Sequence, residues 1–592
     1  MKIKVAQYIA NFLADKGISH VFTVTGGGAM HLNDAFGHSP KLKCIYNHHE
    51  QASAIAAEGY TRLSGKLAAI CVTSGPGGTN AITGVLGGWL DSIPMFVISG
   101  QVKRETTIHA TDVPLRQLGD QEFNIVSSVS SMTKYAKIIM DPNEIRYHLE
   151  KAYYLSLSGR GGPVWLDIPL DVQAAIIDTD DLKSFEESDL KQTENPIYDV
   201  SITSEIIDKI KSSKRPVIFA GTGIRLANAH SEFLSLIEKL KIPVVTAWNA
   251  HDVLYDSHPT YCGRPGTVGT RGGNFVVQNS DLLLVLGCRL NIRQISYNYK
   301  AFAPKAYKIV VDIDKSELKK PTINVDLPIW ANLKDVVDDL LKVDYNPNHD
   351  QWLEWCKNIN DRYPATLQEY YQSNPINPYV FIKEFTYGLK EDDDIICGNG
   401  SACVISFQAA MIKEHTRLFT NSGCAAMGYG FPAAIGGCVA RNGKRVICID
   451  GDGSFQMNIQ ELQTVVYNNL NLKIIYINNN GYHSIRQTQN NLFEGPLVGV
   501  CDGNGLSFPE AERIAYAYNI PYIRVSEYKD LPKLHLKMED DGPLFAEIVV
   551  DYSQSFSPKL SSKVLPDGKI VSPEIDDMYP FLPREEYESN KL

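Results

Sequence analysis

The chain has 592 residues and a net charge of −11 at pH 7, with 44% hydrophobic residues. That length exceeds what one hydrophobic core supports and implies about three domains. The acidic balance, with Lys and Arg scattered, argues against nucleic acid or acidic membrane as a partner. No run of 18 apolar residues offers a membrane span. The 11 cysteines form no CxxC pair and no zinc-spaced cluster with histidine, so they read as reduced thiols in a cytoplasm.

In chain order, MKIKVAQYIANFLADKGI sets Val5, Tyr8, Ile9, Phe12 and Leu13 on one helical face. Asp15 and Lys16 interrupt it, so it reads as a surface helix and not as a targeting signal. Residues 1–177 alternate strand and helix patterns with Gly-rich turns and end in GGPVWLDIPLDVQ. The polar, acidic stretch 178–199 reads as a linker. A second α/β pattern spans 200–345 through RPVIFAGTGI, KIPVVTAW, DLLLVLGCRL and AYKIVVDIDKSE. A polar, Trp-containing segment leads to a third pattern over 378–555. The predicted fold is α/β, with three doubly wound Rossmann-like domains, the first and third alike. The tail, 556–592, is rich in proline and charge. It is either disordered or an ordered flap packed by Met578, Tyr579, Phe581 and Leu582.

Val446 to Tyr482 carries the strongest chemical signal. A β-branched apolar run at 445–449 ends at Gly451-Asp452-Gly453. Residues 456–467 place Ile459, Leu462, Val465 and Val466 on one helical face, and 473–477 form the next strand. Both strands run parallel in such a unit, so Asp452 and Asn479 fall at neighbouring carboxyl ends, where open α/β sheets place ligands. Magnesium takes about six oxygens and leaves several to phosphate and water. Asp452 offers a carboxylate, Asn479 an amide oxygen and Gly481 a carbonyl. Gly451, Gly453 and Ser454, at the start of the following helix, let backbone approach a diphosphate. A lone GDG is more often an ordinary turn with an Asp cap. Here GDG is followed by 24 residues and Asn-Asn with strand, helix and strand in register.

This pattern resembles the thiamine diphosphate signature. The N-terminal half supplies its complement: VFTVTGGGAM, IYNHHEQASAIAAEGYTRLSG and CVTSGPGGTN are similar to the pyrimidine-binding domain of the acetolactate synthase branch of thiamine diphosphate enzymes. The resemblance runs to about residue 555 and implies the three-domain arrangement of that family, pyrimidine-binding, central and diphosphate-binding. It casts Glu50 as the carboxyl that shares a proton with the coenzyme's aminopyrimidine. Its run of alanines offers a desolvating setting, although read alone Glu50 is a first-turn glutamate on a helix dipole. GNGSAC (398–403) is similar to the family's diphosphate loop, with Gly400 and Ser401 as donors. NSGCAAMGYGFPAAIGG (421–437) is similar to the segment that bends the coenzyme. The resemblance makes Met427 the wedge, Ala425 a carbonyl acceptor and Ile485 an apolar support; a core methionine is the plain alternative. Gln121 matches a glutamine facing the reaction centre. His483 is either a proton relay or a hydrogen-bonded structural histidine.

In the central region Gly221, Gly223, Arg289 and Asp312 resemble a flavin-binding site, Arg289 toward a diphosphate and Asp312 toward a ribose; some relatives bind ADP or nothing there. Arg293 matches an arginine that grips an acceptor carboxylate. Thr488 stands where acetolactate synthases place tryptophan, and Ser484 and Arg486 also depart from the pattern. The resemblance therefore implies a coenzyme- and Mg²⁺-dependent carboligase. It would decarboxylate a 2-oxo acid, first of all pyruvate, and pass the two-carbon unit to a second 2-oxo acid or a keto-sugar. Active sites would be shared in a homodimer or homotetramer. Rivals are a simple decarboxylase, a cyclic-diketone hydrolase, a membrane-associated flavoprotein oxidase and a non-catalytic nucleotide-binding protein.

Overall fold

The computed structural model describes residues 1–190, 196–564, 568 and 570–592. The first sheet contains β1 (His20–Thr23), β2 (Lys43–Tyr46), β3 (Ala69–Val72), β4 (Met95–Gln101), β5 (Tyr135–Ile138) and β6 (Pro163–Pro169). All its pairings are parallel and its order is β2-β1-β3-β4-β6-β5. The central sheet holds β7 (Pro216–Ala220), β8 (Val244–Thr246), β9 (Leu282–Leu286), β10 (Tyr307–Asp312) and β11 (Leu327–Trp330), ordered β8-β7-β9-β10-β11 and again parallel. The third holds β12 (Asp394–Cys397), β13 (Arg417–Phe419), β14 (Val446–Gly451), β15 (Leu472–Asn478), β16 (Tyr522–Val525) and β17 (Leu544–Val549). Its order, β13-β12-β14-β15-β17-β16, repeats that of the first sheet strand for strand. Continuous apolar runs such as LLLVL and VICID form these strands because helices cover both faces of each sheet.

In every sheet the strand order reverses between the first and third strands, which opens a crevice at their carboxyl ends. The expected N-terminal helix occupies Val5–Asp15 and buries Val5, Ile9, Phe12 and Leu13. The first and third domains meet where helix Glu50–Ser64 crosses helix Gly430–Arg441. A Cβ on Gly59 would strike the Ala433 backbone, and one on Gly436 would strike Ala56. The alanines after Glu50 thus serve close helix packing, a different use from the coenzyme setting expected for them.

Where the first domain passes into the linker stretch, Ile176–Asp178 pairs antiparallel with Lys2–Lys4; residues 191–195 of the linker lie outside the described residues. Helix Asp350–Arg362, in the polar segment, buries Trp352, Cys356 and Ile359 in the central core. Of the tail, residues 565–567 and 569 lie outside the described residues. Met578 is buried and Leu582 packs on the central core, while Tyr579 and Phe581 are exposed. Asn274 and Arg271 donate to tail carbonyls, and Asn279 accepts from the Leu592 amide, so the tail straps the central domain. The reason is polar as much as apolar: helix Arg271–Asn279 carries side chains that the tail backbone satisfies. Among the described residues no helix is long and apolar enough to cross a membrane.

Candidate active site

The third sheet's crevice gathers most of the predicted residues. Gly451 ends β14, and the helix begins at Asp452, two residues earlier than the turn reading implied. The single helix expected over 456–467 is broken, because Asn458 leaves helical geometry at φ −133°. Asp452 is buried and accepts from the amides of Gly453 (2.7 Å) and Gly481 (2.8 Å). Burial pushes its carboxyl up to about 6 against the pull of those amides.

Asn479 Nδ2 donates to Ser401 Oγ at 2.7 Å, which turns Oδ1 toward the Gly481 carbonyl at 2.7 Å and Asp452 Oδ1 at 3.2 Å. Three acceptors without a proton among them repel one another. Rotating the amide would relieve this by hydrogen bonding; so would a cation at their centre. Octahedral magnesium at about 2.1 Å sets neighbouring oxygens about 3.0 Å apart, a spacing these two separations bracket. The donor set of one carboxylate, one amide oxygen and one carbonyl therefore fits Mg²⁺. Among the described residues no three His, Cys, Asp or Glu side chains cluster as a metal site.

Around this point the other residues close in. Met427, half-buried, reaches the GDG turn, with its Cε 3.5 Å from where a Gly453 Cβ would sit. That Cβ would also collide with the Tyr482 ring, so position 453 has no room for a side chain. Ser454 Oγ accepts from the Gly428 amide at 2.9 Å, and Asn399 donates to the Ala426 carbonyl at 2.8 Å. Space beside Gly400 and Gly451 is open. Ala425 takes a left-handed φ of 54°, a strained choice for alanine of about 1–3 kcal/mol. A buried network holds its loop. Arg62 bridges Glu58 and Asp91 at 2.6 Å each, Tyr429 donates to Glu58, and Asp91 accepts the Ser422 and Gly423 amides.

Glu50 and Gln121 form a separate group at the first sheet's crevice. Glu50 Oε2 accepts from Asn80 at 3.0 Å, and Oε1 lies over Gly77. The Gln121 carbonyl presses on Gly75, and Gln121 itself has φ 60°. Glu50 is half-buried, so this chain alone does not supply the desolvation expected for it.

His483 is buried against Phe556 and near Gln487, and burial followed by the Arg486 charge pushes its ring down to about 4. Ile485 is 48% exposed and Thr488 is exposed, its hydroxyl bonded to the Ser484 carbonyl. Arg293 is exposed and stacks 5.0 Å from Trp248.

Sequence reasoning overlooked Asp450, fully buried below the same turn, with no hydrogen-bond partner for Oδ2 among the described residues and its carboxyl pushed up to about 7 by burial. It missed the use of Arg486, whose guanidinium donates to the carbonyls of Asn479 (3.1 Å) and Asn480. Asn80 had only its place near SGPGG to mark it. In the central sheet Gly221, Gly223, Arg289 and Asp312 line one cavity of about 630 Å³, which Arg62 and Arg160 of the first domain also border. Burial pushes the Asp312 carboxyl up to about 6.

Comparison with known proteins bears on the family of the chain. Models of the thiamine pyrophosphate enzymes match residues 3–124 (N-terminal TPP binding domain), 203–340 (central domain) and 398–548 (C-terminal TPP binding domain). The chain is 31% identical to the acetolactate synthase large subunit of Lactococcus lactis subsp. lactis, over 95% of this chain and 96% of that protein. It is 32% identical to a probable acetolactate synthase large subunit of Methanococcus aeolicus, over 93% of each. Against the isozyme 1 large subunit of Escherichia coli it is 29% identical, over 93% and 95%. The chain belongs to the thiamine diphosphate-dependent enzymes, in the acetolactate synthase branch.

Proposed function

We propose that the protein is a Mg²⁺-dependent carboligase that decarboxylates a 2-oxo acid, pyruvate first, and transfers the two-carbon unit to a second carbonyl. The observation that carries this reading is the convergence of Asp452, Asn479 and Gly481 oxygens beside Met427 and the open Gly400 and Gly451 backbone. Bound here, thiamine diphosphate supplies the electron sink for decarboxylation and the nucleophilic carbon for transfer. The chain's residues bind and orient it. Asp452, Asn479 and Gly481 hold the metal, Gly400, Ser401, Gly453 and Ser454 receive the diphosphate, and Met427, Ala425 and Ile485 keep the coenzyme bent. Glu50 holds a proton at the aminopyrimidine ring, and Gln121 faces the reacting carbonyl.

Glu50 lies at one sheet's crevice and the metal turn at another's, which favours a homodimer in which each site takes one crevice from each copy. Exposed apolar residues flank both groups: Val113, Leu115 and Leu118 near Gln121, and Leu492, Phe493 and Val498 near Ile485. Apolar surface of this kind marks an interface. The central cavity suits a nucleotide diphosphate, flavin or ADP, in a structural role, with Arg289 toward phosphate and Asp312 toward ribose. The unpaired cysteines favour a cytoplasmic setting.

Thr488 leaves the acceptor side without tryptophan's bulk, and on that ground we favour a keto-sugar over a second pyruvate. Mass analysis of products from labelled pyruvate, with and without a nucleotide-activated keto-sugar, tests this. A labelled branched sugar supports it, acetolactate alone restricts the acceptor to 2-oxo acids, and free acetaldehyde means a decarboxylase. No label transfer from any 2-oxo acid contradicts the whole reading. Thr488→Trp is expected to suppress the sugar product and keep acetolactate; losing acetolactate instead contradicts the assigned pocket.

A further inference from the structure

Glu461 is fully buried, and among the described residues it forms no ion pair. Its carboxylate accepts three hydrogen bonds: from Asn47 Nδ2 at 2.9 Å, the His48 amide at 2.9 Å and Thr464 Oγ1 at 2.7 Å. A buried carboxylate without a counter-ion is costly unless hydrogen bonds satisfy it. Two of the three donors come from the segment two and three residues before Glu50. One turn earlier on the same broken helix, Asn458 Nδ2 donates to Gln51 Oε1 at 3.2 Å and to the Gly428 carbonyl at 2.8 Å. Asn458 is the residue at which the helix after the metal turn leaves helical geometry, and that departure accompanies both contacts.

Glu50 is therefore gripped on both sides, at residues 47–48 and at 51, by the helix that begins with Asp452, and Gln51 shares its partner with the residue after Met427. Ser53 Oγ, donating to Asn47 Oδ1 at 3.2 Å, locks the outer end of this grip. We infer that Glu461 and Asn458 are positioning residues that fix the reach of Glu50 toward the coenzyme, a role that rests on the coenzyme site proposed above. Because grip and carboxyl belong to one copy while the metal turn that Glu50 serves belongs to the other, the same bonds also join the two sites of a dimer.

Two measurements test this, one of which needs no coenzyme. In the apoprotein, amide hydrogen exchange over residues 47–52 is expected to accelerate at least tenfold in Glu461→Ala, because the His48 amide loses its acceptor. In the loaded protein, exchange of the coenzyme C2 proton, read by NMR after acid quench, is expected to slow at least tenfold, with coenzyme affinity within threefold of the parent. Glu461→Gln keeps an acceptor oxygen and is expected to restore most of the C2 exchange rate. Asn458→Ala, which removes only the Gln51 side of the grip, provides the same readouts should Glu461→Ala not fold. Unchanged amide exchange, or faster amide exchange with an unaltered C2 rate, overturns the inference. A parent protein that binds no thiamine diphosphate instead overturns the coenzyme site itself, leaving the amide result to stand separately.

Discussion

The first and third sheets share one strand order and one position for their crevices, yet their crevice loops carry opposite equipment. The first presents a single carboxylate, Glu50, on a helix start, with Asn80 and the strained Gln121 around it. The third presents acceptor oxygens, open glycine backbone and Met427 beside the GDG turn. The strands are interchangeable in design; the residues after their carboxyl ends are not. Architecture fixes where a ligand sits, and loop chemistry fixes what it is.

Substitutions at the two crevices should fail in different ways. Asp452→Ala, at the third, is expected to abolish both turnover and Mg²⁺-dependent coenzyme retention, measured by calorimetry, since its carboxylate is the one charged group in the proposed set of Asp452, Asn479 and Gly481. Glu50→Gln, at the first, should cut turnover by about 10²–10⁴ with coenzyme affinity close to the parent. Equal losses of affinity in both variants would erase the distinction.

A smaller effect is expected from Gly453→Ala. The new Cβ meets the Tyr482 ring, and overpacking of about 1–3 kcal/mol should appear as a lower Tm and weaker coenzyme binding. An alanine tolerated without either change would remove the packing reason for glycine there.

The smallest concerns the central crevice. Burial holds the Asp312 carboxyl up to about 6, so it is ionised at pH 7 and able to accept from ribose hydroxyls, and neutral at pH 5. Nucleotide affinity should therefore fall about tenfold as pH drops from 7 to 5, a dependence that Asp312→Asn removes.

Much of this was legible in the sequence where one local period carried it. VICIDGDGSF and LKIIYINNNG announced two parallel strands, because buried parallel strands read as unbroken apolar runs. The helix between them was harder. Ile459, Leu462 and Val465 keep helical spacing through a break that Asn458 makes for partners more than 400 residues away in sequence. Glu461 was silent for the same reason, its donors Asn47 and His48 being set by tertiary packing. The tail misled differently: Tyr579 and Phe581 look like packing residues, but the tail is held by its backbone carbonyls on Arg271 and Asn274. Glu50 is the instructive case, since Ala56 and Ala54 of the run after it lie against Gly436 and Gly84 in close helix packing.

The central claim is that one crevice from each of two copies encloses a single coenzyme. Co-expressing Glu50→Gln and Asp452→Ala chains tests it most directly, since each chain carries what the other lacks. Random pairing predicts about a quarter of the parent's activity, from the mixed dimers alone. Activity no higher than that of either variant by itself would contradict the claim.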